Sequence, residues 1–151
     1  MAKDPRPGEL APDFELEGTH GTFKLAEHRG ERVILLFYPG DNLKICTRQF
    51  CSYRDRVDQF AALEVCAVGI SPQDLASHEE FIAEHGLTVP LLSDSDHGVS
   101  TIYDVHSSLM GAKRAAFVID ELGIVRYRHD NPLSLSYDSV DALSGALAQL
   151  V

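Results

Sequence analysis

The chain has 151 residues, 44% of them hydrophobic and 24% charged, which is the composition of one soluble globular domain long enough to bury its own core. A formal net charge of -10 argues against a nucleic-acid partner, which needs clustered Lys and Arg, and no apolar run approaches the roughly 20 residues that span a bilayer. The segment Met1-Ala2-Lys3-Asp4-Pro5-Arg6-Pro7-Gly8 has no apolar signal core, so the chain is expected to be cytoplasmic, where its three cysteines read as redox chemistry and not as a disulfide framework.

The first eight residues hold two prolines and a glycine and are expected to form a mobile arm. Phe14-Glu15-Leu16-Glu17 alternates as a half-exposed strand does, Gly18 to Gly21 makes a turn, and Thr22-Phe23-Lys24-Leu25 returns, which predicts a hairpin. Val33-Ile34-Leu35-Leu36-Phe37-Tyr38 is continuously apolar, the pattern of a strand covered on both faces, and Pro39-Gly40-Asp41-Asn42 ends it. Beyond that turn Cys46, Phe50, Tyr53, Val57 and Phe60 recur at intervals of four, three, four and three, which predicts one helix from about Cys46 to Ala62.

Leu63 to Ile70, apolar from Val65 onward, reads as a second buried strand, and the two strands with their helix make a crossover unit. Asp74 is placed to cap a helix with Leu75, His78, Phe81 and Ile82 on one face and Gly86 at its end. Val89-Pro90-Leu91-Leu92 reads as a short edge strand, because proline has no N–H to give a central ladder. A short helix carrying Val99, Ile102 and Tyr103 follows, then a loop from Ser107 to Arg114 and a strand from Ala115 to Ile119. A turn at Asp120 to Gly123, an alternating strand from Ile124 to Arg128 and a last helix from about Ser136 to Leu150 complete the chain. Hairpin, βαβα and ββα in that order predict a single α/β domain over residues 1–151, a sandwich with a mixed central sheet.

The stretch from Tyr38 to Arg54 carries the chemistry. Cys46 opens the apolar face of its helix and lies in the first turn, where the positive end of the backbone dipole and unpaired N–H groups favour a thiolate; Lys44 and Arg48 add positive charge. Cys51 is five residues on, about 140° round the helix, beside Arg54, Asp55 and Asp58, and is expected to face solvent. The thiolate is the nucleophile, so Cys46 is the candidate for attack and Cys51 for the second thiol that resolves what Cys46 becomes. Two packing cysteines are the alternative reading.

Arg114, next to a buried strand, is placed to favour the thiolate and to donate to substrate oxygens, or else is a solvated loop arginine. Cys66 sits within an apolar strand and reads as a buried inert thiol. The histidines show no ligand spacing with the cysteines, so no metal is expected, and thiol chemistry requires no cofactor.

Several separated segments give the chain a likeness to a known family: Ala11-Pro12-Asp13-Phe14, Phe37-Tyr38-Pro39, Cys46-Thr47 with Cys51 and Tyr53-Arg54-Asp55, Pro90-Leu91-Leu92-Ser93-Asp94, and Arg114 through Asp120. The chain resembles a peroxiredoxin, most closely the Q subfamily, also called bacterioferritin comigratory proteins. The resemblance implies a thioredoxin-like three-layer sandwich with a mixed central sheet and an N-terminal hairpin. It implies thiol-dependent reduction of hydrogen peroxide and organic hydroperoxides, with Cys46 peroxidatic, Cys51 resolving, Pro39 and Arg114 framing the pocket, Tyr38 and Leu43 in it, and a Cys46–Cys51 disulfide recycled by thioredoxin or a similar dithiol. A monomer is expected.

One position departs from the family pattern: Leu43 stands where the motif has a threonine whose hydroxyl is expected to bond the peroxide and the thiolate, and leucine has neither donor nor acceptor. Ala116 likewise replaces a common threonine or serine. The alternative function is a redox sensor or low-activity peroxiredoxin-like thiol protein, with Leu43 as its mark.

Overall fold

The computed structural model describes residues 5–107, 111–131 and 136–150. The predicted hairpin forms as β1 (Glu15–Gly18) and β2 (Gly21–Lys24), and a short 3-10 turn, Leu25–His28, leads to β3 (Val33–Phe37). Then come α1 (Lys44–Asp55), α2 (Val57–Ala61), β4 (Cys66–Ser71), α3 (Leu75–His85), β5 (Leu91–Ser93) and α4 (Gly98–Ile102). The chain closes with β6 (His106–Ser107), β7 (Gly111–Ala112), β8 (Arg114–Ile119), β9 (Val125–Asn131) and α5 (Val140–Ala148).

The main sheet runs β2-β1-β5-β4-β3-β8-β9, with β3 parallel to β4 and antiparallel to β8. Every residue of β3 is buried, which is why its sequence is apolar without alternation. Ile34, Leu36 and Tyr38 face one core with Cys46, Phe50 and Tyr53 of α1, Phe81 of α3 and Leu143 of α5. Val33, Leu35 and Phe37 face the other, with Phe14, Phe23, Val99 and Tyr103. The sheet is therefore the middle of three layers, and β3 lies inside it between β4 and β8, aimed at the turn before α1.

Several expectations need correction. The single helix to Ala62 is two helices, broken at Arg56, whose φ of -116° and ψ of 39° are not helical. The break turns Val57 outward, leaving it 43% exposed, while Phe60 still reaches Tyr53 at a ring separation of 5.1 Å. An apolar repeat records which side chains face the core, not whether the backbone bonds run on between them. The strand expected from Leu63 begins only at Cys66, because Glu64 has a left-handed φ of 54° that no strand accepts.

β5 is not an edge strand. It is paired to β4 on one side and, through Gly18 and Leu92, to β1 on the other, and Pro90 falls just before it, where its missing N–H costs little. Cys51 is half-buried and packs against the helix-side core instead of facing solvent. Of the expected arm, residues 5–8 are tied down: Gly8 N–H donates to the Val125 carbonyl (2.7 Å) and the Pro5 carbonyl accepts from Arg128 (3.1 Å), while residues 1–4 lie outside the described residues. The loop from Ser107 to Arg114 contains the β6–β7 pairing, residues 108–110 again lying outside the described ones. The α3 caps form as predicted: Asp74 accepts from Ser77 N–H at 2.9 Å, and Gly86 takes a φ of 61° at the C-terminus.

Candidate active site

Leu43 is the N-cap residue of α1, with extended φ and ψ and no side-chain cap bond, and the Thr47 N–H donates to its carbonyl at 2.8 Å. Cys46 is thus the third helical residue, inside the turn whose N–H groups have no partner within the helix. It packs on β3 with 0% of its surface exposed. In this state the sulfur is closed to bulk solvent.

Arg114 comes to the same point from β8. The pairing of Phe37 with Ala115 carries the next position, Arg114, alongside Tyr38, and the side chain is almost completely buried. Its Nη2 donates to Cys46 Sγ at 3.2 Å and its Nη1 to Gln49 Oε1 at 2.5 Å. Gln49 Nε2 donates to the Tyr53 hydroxyl (3.0 Å), which donates to the Asp138 carbonyl (2.6 Å). Cys46, Gln49 and Tyr53 are spaced three and four along α1, so one buried helix stripe presents the thiol, the group that orients the guanidinium and the group that orients that amide. Burial holds the Tyr53 hydroxyl well above its ordinary range, and it stays a neutral donor. A charged donor on sulfur is among the stronger hydrogen bonds a thiolate receives.

Beneath this lies a second polar group. The Tyr38 hydroxyl donates to Asp41 Oδ1 (2.7 Å), Ser77 Oγ to Asp41 Oδ2 (2.7 Å), and His78 Nδ1 lies 2.8 Å from the same Oδ2. His78 Nε2 meets the Leu92 carbonyl at 2.9 Å. Burial pushes the Tyr38 hydroxyl well above its ordinary range, and the Asp41 charge pushes it further. Burial alone would raise the Asp41 carboxyl, but hydrogen bonds from His78, Tyr38 and Ser77 together outweigh it and hold the group below the usual carboxylate range.

Cys46 and Arg114 are therefore brought together at one end of β3, with the half-buried Pro39 two residues past the strand and the half-exposed Leu43 at the rim, while Cys51 lies five residues further along α1 against the helix-side core. Tyr38 has no exposed surface and points its hydroxyl at Asp41, so in this state it supports the turn from below. Gln49, Asp41, His78 and Asp138 were not singled out from the sequence. Gln49 had a local signal, its place three residues after Cys46; Asp41 and His78 are 37 apart and had none.

Cys66 begins β4 at the opposite end of the sheet, with its thiol pushed up to about 11 by burial and then by the Glu31 charge. The fold, unlike the sequence spacing, does bring metal-binding atoms to it: donors of His28, Glu31 and Cys66 lie within 4.8 Å of one another, and His28 and Glu31 are already hydrogen-bonded at 3.0 Å.

A buried thiol under a guanidinium, at a strand-to-helix turn and with a second thiol on the same helix, defines a thiol-based redox protein. A model of the AhpC/TSA family matches residues 7–128. Peroxiredoxin Bcp of Bacillus subtilis is 37% identical over 124 residues, 77% of this chain and 79% of that protein. Chloroplastic peroxiredoxin Q of Triticum aestivum is 35% identical over 127 residues, 82% of this chain and 58% of the wheat protein. Among solved structures, peroxidoxin BcpB of Mycobacterium tuberculosis superposes with a TM-score of 0.84 at 27% identity, covering 97% of this chain and 99% of that one. The chain belongs to the AhpC/TSA family, as a peroxiredoxin of the Q or bacterioferritin comigratory kind, and is a thiol-dependent peroxidase.

Proposed function

We propose that the chain reduces hydrogen peroxide and organic hydroperoxides with Cys46 as the attacking thiol, Cys51 as the resolving thiol and thioredoxin or a similar dithiol as the reductant, acting as a monomer in the cytoplasm. The observation that carries this reading is the 3.2 Å bond from Arg114 to Cys46 Sγ in a site closed to bulk water. The Cys46 thiolate attacks one peroxide oxygen; an S–O bond forms as the O–O bond breaks, and the other oxygen takes a proton and leaves as water or alcohol. The Cys51 thiol then attacks the sulfenic sulfur, forming the disulfide and releasing water, and the external dithiol returns both thiols by exchange. Arg114 stabilises the charge on sulfur and donates to the peroxide oxygens as it moves between partners.

The test is peroxide consumption coupled to thioredoxin, its reductase and NADPH. Sustained turnover is expected, lost in Cys46→Ser and stalled after one oxidation in Cys51→Ser. Peptide mapping after one equivalent of peroxide should find Cys46 joined to Cys51 with Cys66 free. The second reading, a redox sensor, is favoured by the apolar Leu43 at the rim, 50% exposed and without a hydroxyl to offer the substrate. A wild-type protein that oxidises once and stops would support it.

A further inference from the structure

The polar group beneath Cys46 plays no part in the chemistry above, yet it is buried, charged and attached to the turn that aims the thiol. His78 shows no exposed side-chain surface and the Asp41 side chain only 1%. Their protons can be placed from their partners. The Leu92 carbonyl only accepts, so the ring nitrogen 2.9 Å from it, Nε2, donates. Both Asp41 oxygens already accept from hydroxyls, one from Tyr38 and one from Ser77, an arrangement that favours the carboxylate over the acid. His78 Nδ1, 2.8 Å from Oδ2, then donates as well. The groups facing the ring are Asp41 and Tyr38 from the end of β3, and the Leu92 carbonyl from β5.

The same turn is held to α3 at two further points. Asp41 N–H donates to Gln73 Oε1 at 2.8 Å, just before α3, and Asn42 Oδ1 lies 3.2 Å from His85 Nε2 at its end. Asn42 takes a left-handed φ of 61°, and the next residue is the N-cap of α1. The redox cycle requires α1 to open, since both cysteines lie on it, and to close again with Cys46 under Arg114. Some part of the turn has to stay fixed for that return.

We propose that Asp41 and His78 form a buried carboxylate–imidazolium pair that positions Cys46, by pinning the turn before α1 to α3 while α1 opens and closes. The proposal rests on the peroxidase reading for its function, but the charge state of the pair does not. Breaking the pair frees the start of α1, so the closed state that reacts with peroxide is less populated and the open state that forms the disulfide is not disfavoured. The pair is a positioning element and touches neither peroxide nor sulfur.

Nitrogen-15 NMR of the reduced full chain at neutral pH reads the first half directly: both ring nitrogens of His78 are expected to carry hydrogen. A ring with one bare nitrogen overturns the pair. Stopped-flow kinetics of Asp41→Asn, His78→Gln and the double variant read the second half. Each single variant is expected to slow the peroxide step about tenfold while leaving disulfide formation unslowed, and the double variant is expected to be no slower than either single one, as for two residues acting as a unit. Equal slowing of both steps, or single effects that multiply in the double variant, overturns the positioning role. Should wild type fail to turn over peroxide, the peroxidase reading falls, and the NMR result still decides whether the ion pair exists.

Discussion

Leu43 caps the first turn of α1 and stands at the rim of the site, and its place in the structure says what an apolar side chain withholds there. As N-cap of α1 it offers no oxygen to the N–H groups of the first turn, and as a rim residue it offers none to a peroxide. Leu43→Thr is expected to raise the rate of Cys46 oxidation by hydrogen peroxide about tenfold, the worth of one hydrogen bond to a charged group felt in the transition state, and to add about 1 kcal/mol of stability as a cap. Stopped-flow rates and denaturant midpoints check the two effects separately. An unchanged rate would mean that Arg114 and backbone N–H groups supply all the stabilisation the reaction uses.

Asp41 gives a dependence on acid. Its carboxyl, held in the folded chain below its ordinary range, takes up a proton more readily once unfolded, so it contributes stability above about pH 4 that is lost as pH falls through the lowered folded value. Asp41→Asn should lack that part of the acid transition, which melts at pH 6 and in acid, set against wild type, will measure. Cys66 answers to alkali instead: its thiol, pushed up to about 11, is nearly all protonated at pH 8, so its alkylation in the native protein should speed up about tenfold between pH 8 and pH 9, which timed mass spectrometry will read.

At the scale of elements, the proposed Cys46–Cys51 disulfide requires α1 to change shape. Cysteines five apart on an intact helix have Cα atoms about 8.6 Å from one another, beyond the roughly 7 Å a disulfide spans. Oxidation should therefore unwind α1 from about Cys46 to Tyr53 and expose Phe50, which is buried in the described, reduced state. Amide exchange is expected to lose protection there and to keep it in β3, and equal protection in both states would mean that the disulfide forms elsewhere. What α1 leaves behind is a fitted seat. A Cβ on Gly69 of β4 would come within 2.9 Å of the Phe50 ring and 2.8 Å of Leu91, so Gly69→Ala should lift α1 from the sheet and destabilise the fold by about 1–3 kcal/mol.

For the whole molecule, the open edges of the sheet bear on its assembly. Beyond β9 the first described residues lie alongside, with Leu10 bridging Ile124 and Gly8 bonded to Val125, and β2 at the other edge is only four residues long. A short edge and one blocked at its start resist edge-to-edge pairing, and with a net charge of -10 the chain should sediment as a monomer at micromolar concentration; a dimer would point to a helix-face contact or to the rest of β9 instead.

What the sequence determined by itself is whatever depends on neighbours along the chain: the hairpin, the buried strand Val33 to Phe37, the caps of α3, and the placing of Cys46 in the first turn of a helix. Each is set by periodicity or by one residue's backbone preference, and each is legible in a short window. The tertiary structure alone decided what depends on register and on distance across the fold. It broke the first long helix at Arg56, enclosed β5 between β1 and β4, turned Cys51 partly inward, and set Arg114 on the sulfur with Gln49 to hold it. It also joined Asp41 to His78 and brought Cys66 beside His28 and Glu31. For the polar contacts the physical reason is one: a buried polar group must find its partner among whatever the packed sheet and helices bring near, and those partners lie 32 to 68 residues away for Gln73 and Asp41, Asp41 and His78, and Cys46 and Arg114.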